Sequence, residues 1–226
     1  MTKHLSSVLG VFFGICGLPA LGQHLEIGAG GGAGLYRGDI LPNVDVRYAR
    51  PVGQIFVRHT PGKAVSFKYA VLAGSFTGSD AARPNDPFAQ ARNRSFRTRL
   101  QEVSVAFEYN FLDYRSDTKR MPVSPYLFGG AAFFRFEPVE NVRPTYPLTG
   151  ISIPFGVGLK YVVYRNWNLN VEFGARKTFT DYLDDLTGTD INNVFQNGNP
   201  RNRDMYFYSG ISISYTFYRV HCPEFY

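Results

Sequence analysis

Six ionisable residues alternate with apolar ones in stretches that read as extended chain: Lys68, Glu102, Glu108, Lys160, Glu172 and Arg176. Carboxylates and amines gathered in one confined space can do acid–base chemistry, or they can pair with each other and do none. This set is balanced in sign. A charge taken out of water must find a partner, so the pattern predicts a structural network rather than an active site. Other chemistry has less support: His24, His59 and His221 are not at metal-ligand spacing, and no Gly-x-Ser-x-Gly turn presents a nucleophile. The acidic group Asp181, Asp184, Asp185 and Asp190 lacks the spacing of a helix-loop-helix calcium loop and reads as a solvated loop. Gly28, Gly30, Gly31, Gly32 and Gly34 superficially resemble a phosphate loop, but no helix follows and the Lys-Ser/Thr ending is missing. They predict strand curvature and close packing in a narrow interior. No catalytic residue, cofactor or metal site is predicted.

The stretches that carry these charges share one pattern. Between 205 and 217, Met205, Phe207, Ile211, Ile213, Tyr215 and Phe217 occupy one face of an extended chain, with Ser209 its only polar member. The other face holds Tyr206, Tyr208, Gly210, Ser212, Ser214 and Thr216, since side chains alternate along a strand. Strands are predicted at 25–36, 52–59, 64–77, 98–111, 125–136, 151–164, 168–180 and 204–218. Their length suits the ~9–11 residues that cross a bilayer at a tilt, and eight is an even number. The fold class is therefore all-β: an eight-stranded antiparallel transmembrane β-barrel of the outer membrane. Val103, Val105 and Phe107, then Phe155, Val157 and Leu159, then Val171 and Phe173 face lipid on this reading, and the six charges face the lumen. Eight strands enclose only enough space for side chains, which argues against a porin. A charge at Val157 is predicted to cost ~2–4 kcal/mol, and Gly158→Ser on the lumen side less.

Composition agrees with an envelope protein and hides it from a hydropathy scan: 44% of residues are hydrophobic and 16% aromatic, with 23 glycines, yet half of every strand is polar. A formal charge of +6 could suit nucleic acid, but no nucleic-acid motif accompanies it. Arg83, Arg92, Arg94, Arg97 and Arg99 crowd one loop and strand start, where they could meet anionic headgroups. Residues 1–22 read as a secretory signal peptide: Lys3 and His4, an uncharged run, then Ala20-Leu21-Gly22. Residues 23–218 form the barrel and 219–226 a periplasmic tail. The turns at 60–63 and 165–167 are tight, whereas 37–50, 78–97, 137–150 and 181–203 are long, which puts both termini in the periplasm. The 112–124 turn is long for that side. It carries Arg115, Lys119 and Arg120 and offers a docking surface. Cys222 is the only cysteine left once the leader is removed. In an oxidising compartment it is either a tolerated free thiol or half of a bond to another chain, and its place in the tail favours the second.

Three stretches together resemble a known family: Ala91-Arg92-Asn93-Arg94-Ser95-Phe96 leading into Glu102, Ile153-Pro154-Phe155-Gly156-Val157-Gly158-Leu159-Lys160-Tyr161 followed by Asn166-Trp167, and Lys177-Thr178-Phe179-Thr180-Asp181-Tyr182-Leu183-Asp184-Asp185. They look like PorG-type outer-membrane barrels of the Bacteroidota, across essentially the whole mature chain. The resemblance implies a non-enzymatic subunit of type IX protein secretion, an apparatus that also serves gliding motility. It would anchor or dock a periplasmic ring made of a lipoprotein and a partner protein, and Cys222 could tie it to that lipoprotein by a disulfide. The alternative is a stand-alone structural or adhesion barrel with its function in the surface loops. Outer-membrane lipids are the other implied partner.

Overall fold

A computed structural model describes residues 24–38, 45–80, 90, 95–114, 122–139, 148–179 and 205–217. Eight strands follow the alternation: β1 His24–Arg37, β2 Arg50–Thr60, β3 Val65–Ser79, β4 Ser95–Asn110, β5 Val123–Pro138, β6 Thr149–Tyr164, β7 Trp167–Thr178 and β8 Met205–Phe217. Each pairs antiparallel with its chain neighbour, and β1 pairs with β8, closing the barrel. Closure removes the unpaired edges that an open sheet would expose. The predicted strands match these within three residues at each end, and β4 begins at Ser95, three residues earlier than its alternation alone suggests.

Along the eight strands the even-numbered positions face in and the odd-numbered ones face out, until a register irregularity near the end of β6 turns Tyr164 outward. Away from the strand ends the outer face is apolar from β3 to β8, with Val105, Phe133, Ile151, Val157, Phe173 and Ile213 all exposed. A surface of this composition is stable only against hydrocarbon. The inner face is divided along the barrel axis. Toward the rim with the long connections, Tyr36, Val52, Leu72, Phe76, Phe96, Leu100, Phe134, Phe136, Tyr206 and Tyr208 pack into one aromatic-rich cluster. Toward the rim that holds the ends of β1 and β8, the lumen is charged and amide-bearing.

Glycine makes the narrow interior possible where a side chain would have no space. A Cβ on Gly32 would lie 2.0 Å from the Ser209 carbonyl oxygen of the paired strand, so β1 and β8 meet at that point only without one. Gly31 departs from the predicted role, since it is exposed on the outer face and a Cβ there would meet only the Val52 carbonyl, at 3.6 Å.

Several sequence expectations fall outside the described residues: the leader 1–22, Arg115, Lys119, Arg120, Cys222, the acidic residues 181–190 and the arginines at 83, 92 and 94. Between β1 and β2, Val46–Tyr48 makes a 3-10 turn. Asp45 caps it, accepting from the Arg47 backbone N–H at 3.0 Å and pairing with its guanidinium at 2.7 Å. The side-chain hydrogen bond from Arg47 holds the Asp45 carboxyl below its ordinary range.

Candidate functional site

Register decides which inward charges meet. Glu26 on β1 lies directly opposite Arg58 on β2, and Lys68 on β3 is opposite Arg58 on its other side. Arg58 is the centre of the network. Its guanidinium pairs with Glu26, its Nε lies 2.8 Å from Glu108 Oε2, and it donates to Asn170 Oδ1 at 3.3 Å. Lys160 completes this group, donating to Glu108 Oε2 at 2.6 Å and to Asn110 Oδ1 at 2.7 Å. Arg58, Glu26, Glu108 and Lys160 have no solvent exposure. Four charges buried to that extent persist only because each lies against an opposite partner, here Arg58 and Lys160 against Glu26 and Glu108.

A second group lies on the wall beside it. Lys68 Nζ donates to Glu172 Oε2 at 2.5 Å and to Gln54 Oε1 at 3.3 Å. Tyr126, reaching over from β5, donates to the same carboxylate oxygen at 3.1 Å. Its path crosses β6 at Gly158, which is opposite both Tyr126 and Glu172. Arg176 joins the two halves of the lumen: its Nε is 3.7 Å from Glu102 Oε2, and its guanidinium lies over the Tyr208 ring at 5.4 Å. Glu102 in turn accepts from the Tyr206 hydroxyl at 2.5 Å. The charged layer therefore continues into the aromatic one through Glu102 and Arg176. At the opposite end Tyr114, at the start of the long 112–124 turn, is buried with its ring 5.9 Å from Lys160 Nζ. Tyr114 thus packs against the charged end of the lumen rather than standing in water.

All six charges singled out in the sequence are buried and paired in the lumen. Sequence reasoning missed Glu26 and Arg58, the latter being the hub. The signal was present, because both occupy even positions of predicted strands. For Glu26 it was masked by outward neighbours further along β1, Ala29, Gly31 and Ala33, that are too small to make the apolar face stand out, and for Arg58 by Gly53 and His59, which interrupt the apolar face of β2. Gly158 faces the lumen as expected, but the position has no spare room. A Cβ there would lie 2.3 Å from Tyr126 Cζ, and that ring is buried and held by Glu172. Among the described residues, no group of three or more His, Cys, Asp or Glu is arranged to hold a metal ion.

The arrangement is a filled lumen in which fixed charges neutralise one another. Two solved structures share this architecture. Neisserial surface protein A is 11% identical, with 88% of this chain and 100% of that chain covered and a TM-score of 0.54. Ail, the attachment invasion locus protein of Yersinia pestis, solved with the heparin analogue sucrose octasulfate, is also 11% identical, with 87% and 100% covered and a TM-score of 0.50. At that identity the likeness is one of fold, the eight-stranded outer-membrane barrel. A comparison with curated proteins gives no match. A family model described as a domain of unknown function (DUF6089) matches residues 4–224, and the chain belongs to that family.

Proposed function

We propose that this chain is a non-conducting, non-enzymatic outer-membrane barrel that anchors or docks the periplasmic ring of the type IX protein secretion apparatus, which in gliding species also serves motility. The observation that carries the first half is the lumen. Its buried charges pair internally and its other layer is packed aromatic side chains, which supports an interior closed to ions and solutes. Binding at the two rims is what remains. The resemblance to PorG-type barrels supports the second half, with the ring lipoprotein and its partner protein as the binding partners. On this reading both termini are periplasmic, and the turn bearing Arg115, Lys119 and Arg120 and the tail with Cys222 face the ring.

The alternative is a stand-alone structural or adhesion barrel acting through its surface loops. It is favoured by the fold shared with an attachment protein and a surface protein. Co-purification from native membranes blocked with an alkylating agent separates the two. Docking predicts that the ring lipoprotein and its partner elute with the barrel. It also predicts a heavier band on non-reducing electrophoresis that disappears with reductant and in Cys222→Ser. Recovery of the barrel without ring proteins would leave the adhesion reading. Ring proteins recovered without the heavier band would reject only the disulfide.

A further inference from the structure

The odd-numbered, outward positions of the eight strands carry few charges, and their distribution is one-sided. Among the described residues they are Arg37, Arg97, Arg99, Arg135 and Lys177, with Glu137 the single carboxylate. All lie at strand ends on the rim with the long connections; the middle of the barrel has none. The opposite rim is aromatic on the same face, with Tyr109, Tyr161, Tyr164, Trp167, Tyr215 and Phe217. Aromatic rings of that kind suit the uncharged interfacial region of a bilayer. Guanidinium groups suit phosphate, which they pair through two parallel N–H donors.

The densest part of the basic rim spans β4 and β5. Arg97 and Arg99 share a face of β4, about 7 Å apart along the strand. Arg135 on β5 is opposite Gln101, and Glu137 is opposite Arg99. Glu137 pairs with Arg135 at 2.7 Å, but both side chains are more than half exposed, so the pair is easily exchanged. Arg97 and Arg99 have no acidic partner among the described residues. Directly inward along the same strands begins the apolar belt, where Val103 is opposite Phe133 and Phe133 opposite Ile151. Cations above and hydrocarbon-compatible side chains below form a surface for an amphiphile whose head bears phosphate.

We propose that Arg97, Arg99 and Arg135 form a binding site for the phosphorylated disaccharide headgroup of an outer-leaflet glycolipid, with its acyl chains against Val103, Phe133 and Ile151. Three guanidinium groups spread over two strands match a head with two separated phosphates better than a diacyl lipid with one. The inference rests on the outer-membrane placement above, with the long loops outward, but not on ring docking at the other rim.

The test uses the purified full-length mature chain in detergent and native mass spectrometry. The probes are bis-phosphorylated lipid A, its phosphate-free form and phosphatidylglycerol. The site predicts retention of the bis-phosphorylated glycolipid over both others. It predicts a loss of about tenfold or more in the triple variant Arg97→Gln, Arg99→Gln, Arg135→Gln, and no change in Arg165→Gln on the opposite rim. Heat-modified electrophoretic migration reports folding of each variant. Wild-type selectivity needs no variant and is decisive by itself: equal retention of the phosphate-free glycolipid, or of phosphatidylglycerol, overturns the proposal. So does unchanged binding in the folded triple variant. Because no ring protein is in the sample, failure here leaves ring docking standing, and failed co-purification leaves this site standing.

Discussion

At Glu108 one carboxylate meets two cations, Arg58 and Lys160, and none of the three side chains is exposed. Removing one member of such a group leaves charges that neither water nor protein compensates, a cost of ~3–5 kcal/mol, whereas removing a pair together can be nearly neutral. Glu108→Ala is therefore predicted to lose about that much stability, read from urea titration of the heat-modifiable folded band in lipid vesicles. The double variant Glu108→Met, Lys160→Met should recover most of the loss, since Arg58 keeps Glu26. A single variant within about 1 kcal/mol of wild type would mean that the network contributes little. Residues of this kind were only partly legible in the sequence. Lys160 stands out because the apolar outward face around Leu159 and Tyr161 runs the length of its strand, while beyond Leu25 and Ile27, which flank Glu26, the outward face falls to alanine and glycine.

A strand is the unit at which the sequence is most readable, because an alternation of period two survives any error in its ends. β6 holds the sharpest contrast, with Val157 facing out and Gly158 facing in. What alternation conveys is direction, not space. It assigns Gly158 to the lumen without indicating that the Tyr126 ring, from a strand whose register is set elsewhere, already fills the volume beside it. Both positions are therefore predicted to be sensitive, for different reasons. Val157→Arg puts a charge in hydrocarbon near mid-depth, at ~2–4 kcal/mol, and Val163→Arg near the strand end should cost ~0–1. Gly158→Ala is predicted to cost ~1–3 kcal/mol by overpacking, and Gly129→Ala, with no atom within 4 Å of the added Cβ, close to nothing. Equal costs at Val157 and Val163 would place the bilayer elsewhere on the barrel. A harmless Gly158→Ala would show that the Tyr126 ring can shift.

At the scale of the whole molecule, the eight-stranded barrel was readable because strand number, strand length and facing are all one-dimensional patterns. What the barrel binds was less so, since binding depends on rims, connections and a tail whose meaning comes from a second molecule. The lumen bears on this because it has two independent fillings in series. Aromatic side chains around Phe76, Phe134 and Tyr206 occupy the half near the long connections, and the paired charges around Arg58 occupy the other. Either layer alone should stop ions, the first by excluding water and the second by leaving no mobile space between neutralised groups. Wild-type protein in a planar bilayer is therefore predicted to give no stepwise conductance. Phe76→Gly with Phe134→Gly, which opens only the aromatic layer, should be equally silent. Adding Glu108→Ala to those two should produce small, unstable openings, provided heat-modified migration shows that the barrel has folded. Steady conductance steps from the wild type would mean that the network exchanges its partners on the timescale of ion passage, and the barrel would then have to be read as a gated channel rather than an anchor.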